Sequence, residues 1–389
     1  MKPTKKPAII PFPYPIYFYT VVAIALVGLL DAVYLSTSHY RVYVDIGYHS
    51  FCAISQAINC DTVSQSPYSI LFNVPVPVWG VWGYGLFIFL LYFTRPDLDQ
   101  PSRMWAILFV AALAFSLYSL ILAAISTYLI NSYCIMCLLS YAVNLTLLYF
   151  SWLVRKRFPS GSLTRAVVLD VRHLAKFPRI FYPGTSLLGL CAISLILFFP
   201  AYWNLEPPAL STSIPTGVTA EGYPWIGSEH PEIEIVEFTD YRCFQCKKMH
   251  FFLRRIIQEN PGKIKLIHRH FPMDHTINPI VHQPFHSGAA KLAMLALIAE
   301  EKHKFWGMND LLFNIDRGSE AVNMRYFARQ TNIPLKEIRK GFRDKRLWLK
   351  LRKDISDGIQ LGLTGTPAYL INGNVYNAQI PPEILKKFI

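Results

Sequence analysis

The chain has 389 residues, and 52% of them are hydrophobic, which is too large a share for a single soluble domain. Its net charge of +13 is of a size that nucleic-acid binding proteins show. Much of that charge lies in short loops between apolar runs, where membrane topology accounts for it, so we expect no nucleic-acid partner.

Five apolar runs are long enough to cross a bilayer, which takes roughly 20 residues. They cover residues 14–36, 76–94, 104–129, 134–154 and 183–203. The first run is too long for a cleavable signal peptide, and no small-residue cleavage site follows it. We therefore predict five membrane helices.

The loops between these runs predict the orientation, because cytoplasmic loops carry an excess of Lys and Arg. Only Arg41 lies in the two loops of one side. The other side carries Lys2, Lys5, Lys6, Arg95, Arg103, Arg155, Lys156, Arg157, Arg165, Arg172, Lys176 and Arg179. The N-terminus is therefore predicted to be cytoplasmic, and the chain after the fifth run to lie outside.

The composition predicts six segments along the chain. A cytoplasmic N-terminus (1–13) precedes a membrane domain (14–154), a basic cytoplasmic loop (155–182) and a fifth membrane helix (183–203). A linker rich in Pro, Ser, Thr and Gly (204–223) then leads to an outer domain (224–389).

The outer domain has the pattern of an α/β fold. Strands are predicted at 232–239 and 263–271 around a helix at 244–258, followed by helices at 287–301, 305–313, 319–330 and 335–359. A strand at 367–371, a turn at 372–374 and a helix from Pro382 complete the domain. This order predicts an α/β sheet domain with a helical insertion.

Six of the seven cysteines form pairs on the predicted outer side, where disulfides persist. Cys52 and Cys60 lie in the first outer loop, Cys134 and Cys137 open the fourth membrane helix, and Cys243 and Cys246 open the first helix of the outer domain. Cys191 has no partner in its segment, and we expect it to be a small packing residue.

The Cys243 pair has the setting of a reactive dithiol. Cys243 stands at a helix N-terminus, where unpaired N–H groups and the helix dipole favour a thiolate, and Arg242 adds positive charge. We expect Cys243 to be the exposed attacking sulfur and Cys246 its buried resolving partner. A static disulfide and a zinc site are the alternatives; zinc would need ligands from His250, His268, His270 and His275, and no metal is expected.

The outer domain resembles the thioredoxin fold in its periplasmic dithiol-oxidase branch. The resemblance rests on the strand, the C-x-x-C helix, the segment Lys304–Phe305–Trp306 and the segment Thr364–Gly365–Thr366–Pro367. It implies that Pro367 is a cis-proline and that Thr366 pairs with the substrate backbone beside Cys243.

The membrane domain closely resembles the vitamin K epoxide reductase family, in its prokaryotic branch fused to a thioredoxin-like domain. The matching residues are Cys52, the segment from Cys60 to Tyr68, Pro75, Val76, Pro77, Gly80, Tyr84, Cys134, Cys137, Tyr141 and Asn144. Asn73 departs from the pattern, because many relatives have glycine there.

This resemblance implies a membrane all-α bundle with a four-helix quinone-binding core and a fifth linking helix, followed by the soluble domain. It implies that Cys243 exchanges with Cys60, that Cys52 exchanges with Cys134, and that Cys137 delivers electrons to a quinone, either ubiquinone or menaquinone. Ser66 and Tyr141 match family positions near the redox centre, where they would orient the quinone carbonyl or stabilise a thiolate, and Asn144 is a further matching residue assigned to quinone binding. Ordinary packing at the membrane interface is the alternative for Ser66 and Tyr141. Asp31, inside the first span, is costly to bury and is a functional or helix-pairing candidate.

The predicted function is a quinone-dependent thiol oxidase that makes disulfides in secreted or periplasmic proteins, or in a separate thioredoxin-fold protein, at the bacterial inner membrane. Two enzyme alternatives are a disulfide reductase or isomerase, for which Thr366 before Pro367 would also be suitable, and a vitamin K epoxide reductase. A metal-binding membrane transporter would need polar residues in several spans, and the spans offer little beyond Asp31.

Overall fold

The computed structural model of the protein describes residues 12–48, 50–54, 58–100, 102–158, 161–210, 214–315 and 322–386. They form two compact units, Met1–Trp203 (unit 1) and Asn204–Ile389 (unit 2). Residues 1–11, with the three lysines that count toward the predicted orientation, lie outside the described part of the chain.

Unit 1 is helical. Its helices are α1 (Tyr14–Val44), α2 (Cys60–Ser64), α3 (Val76–Leu91), α4 (Trp105–Ile125), α5 (Ile135–Arg157), α6 (Leu163–Leu174) and α7 (Pro178–Phe198). Within the described residues, five helices are long and apolar enough to cross a membrane, namely α1, α3, α4, α5 and α7. The five predicted spans are thereby confirmed.

The core of unit 1 lies between α1, α3, α4 and α5, where Phe87, Leu108 and Leu147 are fully buried. Leucines on the outside, such as Leu30 and Leu187, are 68% and 69% exposed. Such an outer surface suits contact with lipid tails, because the helices satisfy their own backbone hydrogen bonds.

A short hairpin, β1 (Ile70–Leu71) and β2 (Val74–Pro75), leads into α3. Its turn residues Phe72 and Asn73 have φ angles of 52° and 58°. Asparagine adopts this left-handed region more readily than most residues. Asn73 therefore adopts the turn conformation without the glycine that the family resemblance led us to expect there.

Three boundaries in unit 1 differ from those predicted. Helix α1 continues beyond residue 36 to Val44, and its Ser36 and Thr37 hydroxyls donate to carbonyls one turn earlier, which satisfies these groups inside the helix. The fifth span is Pro178–Phe198 rather than 183–203, since Pro178 takes the first helical position, where proline is favoured.

The segment 155–182 is not simply a loop, because it contains α6. The carboxylate of Asp170 on α6 accepts the N–H groups of Ala106 (3.0 Å) and Ile107 (3.3 Å) at the start of α4. A helix N-terminus leaves such N–H groups without intrahelical partners, so Asp170 fastens α6 to the bundle. Residues 159–160 lie outside the described part.

Unit 2 is an α/β domain. Its strands are β3 (Thr216–Val218), β4 (Pro224–Gly227), β5 (Ile233–Thr239), β6 (Ile264–His270), β7 (Ala368–Ile371) and β8 (Asn374–Asn377). Its helices are α8 (Phe244–Glu259), α9 (Ala289–Glu300), α10 (Phe305–Phe313), α11 (Met324–Thr331), α12 (Leu335–Gly341), α13 (Lys345–Gln360) and α14 (Pro382–Leu385). The predicted α/β fold with a helical insertion is confirmed.

The sheet of unit 2 has the strand order β3-β4-β6-β5-β7-β8. Strands β5 and β6 are parallel, with Ile235 opposite Leu266, and the other neighbours are antiparallel. Helix α8 is the crossover between β5 and β6, and α9 to α13 are inserted between β6 and β7. The end of β5 therefore leads directly to Cys243 at the start of α8.

The linker predicted at 204–223 is partly structured. Its end forms β3, which pairs with β4. Arg254 and Gln258 of α8 donate to the carbonyls of Pro208 (2.8 Å) and Ala209 (2.6 Å). Strands this short carry too few residues for a period-two pattern, which is why the sequence did not predict them. Residues 211–213 lie outside the described part.

Two predicted helices of unit 2 also differ. The helix at 335–359 is two helices, α12 and α13, because Asp344 caps the second by accepting the N–H of Arg346 at 2.8 Å. The helix predicted at 319–330 is α11, which begins at Met324; residues 316–321 lie outside the described part.

Candidate active site

The cysteine pair of unit 2 opens α8. Cys243 is the N-cap residue, and its sulfur accepts the N–H of Cys246 at 3.4 Å. Cys243 is 8% exposed and Cys246 is 1% exposed. Both are therefore buried, so the expectation that Cys243 is exposed is wrong, although Cys243 remains the more accessible of the two.

The loop before β7 lies against this pair. The Thr366–Pro367 peptide bond is cis, as the resemblance implies. The Cys243 thiol donates to the carbonyl oxygen of Thr366 at 3.4 Å. The backbone of Thr366 therefore lies beside the sulfur at which a substrate would react.

The charges around Cys243 come from a dyad that sequence reasoning missed. His286 Nδ1 donates to Asp240 Oδ2 at 2.9 Å, and Asp240 also accepts the N–H groups of Arg242 and Met273. Burial opposes protonation of His286, but the charge and hydrogen bond of Asp240 outweigh it and raise the His286 pKa.

The pKa values of the two thiols are shifted in opposite directions. A hydrogen bond from Cys246 lowers the pKa of Cys243 to about 7, against burial and with help from the charge of His286. Burial raises the pKa of Cys246 well above its usual value. Cys243 is thus the thiolate of the pair, and His286 supplies the cationic charge that the sequence assigned to Arg242.

A second polar cluster lies on β5 and its neighbours. Glu237 Oε1 accepts hydrogen bonds from Nδ1 of His250 (2.7 Å) and of His268 (2.9 Å), and all three side chains are buried. Their ligand atoms lie within 4.8 Å of one another, so these residues could hold a metal ion. Asn309 donates to His250 Nε2 at 2.9 Å.

Burial and these hydrogen bonds shift the pKa values of residues in the cluster. Burial lowers the pKa of His250 and favours a neutral ring. Burial would raise the pKa of Glu237, but the interactions with His250 and His268 hold it low. Two of the four histidines considered as zinc ligands for the cysteine pair, His250 and His268, therefore bind Glu237 instead.

The loop pair of unit 1 is oxidised. Cys52 and Cys60 form a disulfide with a Cα–Cα distance of 5.6 Å. Both sulfur-bearing residues and Cys134 belong to one buried cluster, against which Cys137 packs. The backbone joins the same regions, because the N–H of Asn59 donates to the carbonyl of Tyr133 at 2.9 Å.

The second pair of unit 1 opens α5 with the same local geometry as the pair of α8. Cys134 is the N-cap residue, and its sulfur accepts the N–H of Cys137 at 3.2 Å. Cys137 lies one turn further along and lines a cavity. The pair therefore has the disulfide cluster on one side and a cavity on the other.

That cavity has a volume of about 500 Å³ and is lined mainly by apolar and aromatic side chains of α1, α3, α4 and α5. The three residues predicted to contact a quinone, Ser66, Tyr141 and Asn144, all line it. Drug-sized ligands occupy pockets of roughly 300–1,000 Å³ with this apolar character. The lining thus fits a ring as large and apolar as a quinone.

Several polar groups that line the cavity make hydrogen bonds, and three of them form a chain. Tyr84 donates to Asn144 Oδ1 at 2.8 Å, and Asn144 Nδ2 donates to Ser119 at 2.9 Å. A Cβ at Gly28 would come within 2.5 Å of the Tyr84 ring, so glycine lets α1 approach that ring. Ser66 donates to the carbonyl of Val63 at 2.8 Å.

One cavity residue was missed although the sequence carries a signal for it. Ser140 lines the cavity, and Cys137, Ser140, Tyr141 and Asn144 recur at helical spacing on one face of α5. Cys191 lies apart from these sites, exposed on α7, where none of the residues is buried. Cys191, which we expected to be a small packing residue, is thus not part of the buried core of unit 1.

The fold and the cysteines define the class, a membrane protein built from two units that carry dithiol pairs suited to disulfide exchange. Residues 19–152 match the model of the vitamin K epoxide reductase family, and residues 219–389 match a thioredoxin model. The chain thus joins a vitamin K epoxide reductase family domain to a thioredoxin-like domain.

Two curated proteins illustrate these similarities. The probable disulfide bond formation protein D of Bacillus anthracis is 24% identical over 174 residues, which cover 42% of this chain and 75% of that protein. The Na(+)/H(+) antiporter NhaA 3 of Salinispora tropica is 22% identical over 159 residues. That match covers 41% of this chain and only 23% of the antiporter's length.

Similar solved structures are also known. A thioredoxin-like oxidoreductase from Silicibacter pomeroyi matches with a TM-score of 0.36 and 17% identity, over 42% of this chain and 88% of that one. The thiol-disulfide exchange protein alpha-DsbA2 from Wolbachia pipientis matches with a TM-score of 0.35 and 21% identity, over 43% of this chain and 85% of that one.

Proposed function

We propose that the protein is a quinone-dependent thiol oxidase that makes disulfides in other proteins. Electrons pass from substrate dithiols to Cys243 and Cys246, then to Cys52 and Cys60, and then to Cys134 and Cys137. One observation carries this proposal: the Cys52–Cys60 disulfide shares a buried cluster with Cys134, while Cys137 lines the apolar cavity.

The first exchange takes place at unit 2. A substrate thiolate attacks Cys243 of the Cys243–Cys246 disulfide, Cys246 leaves, and the second substrate thiolate releases Cys243. The low pKa of Cys243 makes it a good leaving group, and the Thr366 backbone beside it can hold an extended substrate. The substrate leaves oxidised, and unit 2 is left reduced.

The second and third exchanges take place at unit 1. Cys243 attacks Cys60, Cys52 leaves, and Cys246 resolves the mixed disulfide. Cys52 then attacks Cys134, Cys137 leaves, and Cys60 resolves that bond. The contact of Cys52 with Cys134 in one cluster supports this order.

The quinone supplies an acceptor for two electrons and two protons, and Ser66, Tyr141 and Asn144 are the residues that would hold it. The apolar lining would keep water away from the ring, and polar groups of the cavity would be available to orient a ring carbonyl. Ubiquinone and menaquinone both have such carbonyls.

We further propose that unit 1 lies in a bacterial inner membrane with its N-terminus in the cytoplasm and unit 2 in the periplasm or outside the cell. The distribution of Lys and Arg supports this orientation. Secreted proteins, and a separate thioredoxin-fold protein, would then be the substrates. A reporter enzyme fused after Ile389 should be active only outside the cytoplasm; cytoplasmic activity would contradict this compartment.

The function is tested with the full chain in lipid nanodiscs, a reduced peptide with two cysteines, and a ubiquinone or menaquinone analogue. An oxidase forms one quinol for each peptide disulfide. Disulfide exchange without quinol would favour an isomerase or reductase, and reduction of vitamin K epoxide without peptide oxidation would favour an epoxide reductase.

A further inference from the structure

Asp31 is a buried carboxylate of unit 1 that the relay does not use. It lies on α1 and is 5% exposed. Ser140 of α5 donates to its Oδ2. Its Oδ1 has no hydrogen-bond partner within the described residues, and no ion pair there joins Asp31 to a cation.

The position of Asp31 connects it to the cavity. Ser140 lines the cavity one helical turn after Cys137, and Ala32, the neighbour of Asp31 on α1, lines it as well. Asp31 is therefore linked through Ser140 to the face of α5 on which Cys137 lines the cavity.

Helix pairing alone does not account for this carboxylate. The bond from Ser140 joins α1 to α5, but an asparagine or serine at position 31 would join them without burying an acid. An unpaired ionised carboxylate in an apolar interior is costly, and a buried carboxyl group is driven toward its protonated form. Ionisable groups at such depth mark proton and substrate pathways more often than packing sites.

Quinol formation takes two protons, and reduced Cys134 and Cys137 together supply only one of them. Cys134 accepts the N–H of Cys137 at a helix N-terminus, a site that favours a thiolate on Cys134. If Cys134 is the thiolate and Cys137 the thiol, the reduced pair carries two electrons but only one proton. The second proton needs another buried acceptor near the cavity.

We propose that Asp31 holds this second proton, and that Ser140 connects it with the cavity. This inference rests on the proposed function. In the reduced state Cys134 is a thiolate, Cys137 is a thiol and Asp31 is a neutral acid. As the Cys134–Cys137 bond forms, two electrons leave the sulfurs, and protons from Cys137 and from Asp31 go with them to the two quinone oxygens. Asp31 is left ionised until the next reduction, so atoms and charge balance.

The first test needs no quinone. In a Cys243→Ala, Cys246→Ala background in nanodiscs, infrared difference spectra are recorded between the dithiothreitol-reduced and the oxidised protein. The reduced state should show a carboxylic acid C=O band that Asp31→Asn removes and that Asp31→Glu shifts. Asp170→Asn is the matched control, because Asp170 is a buried carboxylate that caps α4 away from the cavity, and the band should remain in it.

The second test separates the proton from the disulfide exchange. Asp31→Asn should slow quinol formation by the reduced Cys134–Cys137 pair by roughly 10²-fold, the lower end of what a positioned acid contributes. Exchange between the Cys52–Cys60 and Cys134–Cys137 pairs should keep its rate. Asp31→Glu should restore part of the quinol formation, and Ser140→Ala should slow it less than Asp31→Asn.

The outcomes distinguish this inference from the function on which it rests. A wild-type protein that forms no quinol with either quinone class overturns the proposed function. A wild type that forms quinol while Asp31→Asn keeps the band or the rate overturns the role of Asp31 alone. If Asp31→Asn does not fold, the Asp31→Glu band decides, because an unshifted band would belong to another residue.

Discussion

The two C-x-x-C helices of this protein share one local design and differ in their surroundings. In α5 and in α8 the first cysteine caps the helix and accepts the N–H of the second, at 3.2 Å and 3.4 Å. Around Cys243 stand a peptide carbonyl and a cationic histidine. Cys137, by contrast, lines an apolar cavity. The motif prepares a thiolate, and the neighbours determine whether its partner is a polypeptide or an apolar acceptor.

The largest effect should come from removing any sulfur of the three pairs. Cys137→Ala, Cys52→Ala or Cys243→Ala should reduce quinone-dependent peptide oxidation to the uncatalysed rate, because the pairs act in series. Quinol formation measures this loss. Cys191→Ala is the control and should keep most of the activity, since Cys191 lies exposed on α7.

Two results would break the comparison between the pairs. A Cys191 variant as inactive as the others would show that the unpaired thiol takes part. A Cys243 variant that still oxidises a separate thioredoxin-fold protein would show that unit 1 accepts electrons without unit 2.

The order of the relay should appear as a trapped covalent bond. Without Cys246 and Cys52 the attacking sulfurs have no neighbour to displace them. In the double variant Cys246→Ala, Cys52→Ala, Cys60 can attack the Cys134–Cys137 disulfide and expel Cys137, after which Cys243 attacks Cys60 and expels Cys134. With the quinone present to reoxidise Cys134 and Cys137, this variant should therefore accumulate a Cys243–Cys60 disulfide, detected by mass spectrometry without reductant. A Cys243–Cys134 bond would instead mean that electrons bypass Cys52 and Cys60. Stoichiometric bound zinc without any cross-link would refute the proposed thiol oxidase function.

The histidine beside Cys243 should tune its reactivity. The hydrogen bond from Cys246 is the main reason that the pKa of Cys243 falls to about 7, and the charge of His286 adds to it, so His286→Ala removes one contribution to that low pKa. If that pKa rises by one unit, alkylation of reduced unit 2 in the full chain at pH 6 should slow roughly tenfold, because only the thiolate reacts. His275→Ala is the control, since that histidine lies 3.8 Å from Asp274 instead. An unchanged rate in His286→Ala would remove the dyad from the mechanism.

The same pKa has a consequence for stability. The folded pKa of Cys243, about 7, lies below its ordinary value of 9.0, so its ionisation stabilises the reduced fold above pH 9.0. That contribution is lost as the pH falls through about 7. The melting temperature of unit 2 in the reduced protein, relative to the oxidised protein, should therefore fall between pH 9 and pH 6. A difference that does not change with pH would contradict a thiolate at Cys243.

The smallest effect should come from a single polar group of the cavity. Tyr141→Phe removes one hydroxyl, and one hydrogen bond contributes about 1 kcal/mol, so the quinone concentration for half-maximal rate should rise roughly fivefold. Tyr149→Phe is the control on the same helix, because Tyr149 is 55% exposed and does not line the cavity. Equal effects of both variants would mean that Tyr141 does not contact the quinone.

The sequence by itself determined those features that depend on residues close together in the chain. Apolar runs predicted the five membrane helices, and period-two alternation predicted β5 and β6. Cys243 and Cys134 were placed at helix starts for the same reason. The sequence did not predict the strands β3 and β4, because they are very short. It did not predict the helix α6 either, because α6 lies in a strongly charged segment.

The tertiary structure alone decided which distant residues meet. Asp31 and Ser140 are 109 residues apart, and Asp240 and His286 are 46 apart, so no local periodicity connects either pair. The cavity likewise brings residues of α1, α2, α3, α4 and α7 together with Cys137 of α5. Periodicity records which face of an element is apolar, whereas the packing of elements against each other fixes which polar groups share a buried site, and the chemistry of charge and proton depends on that packing.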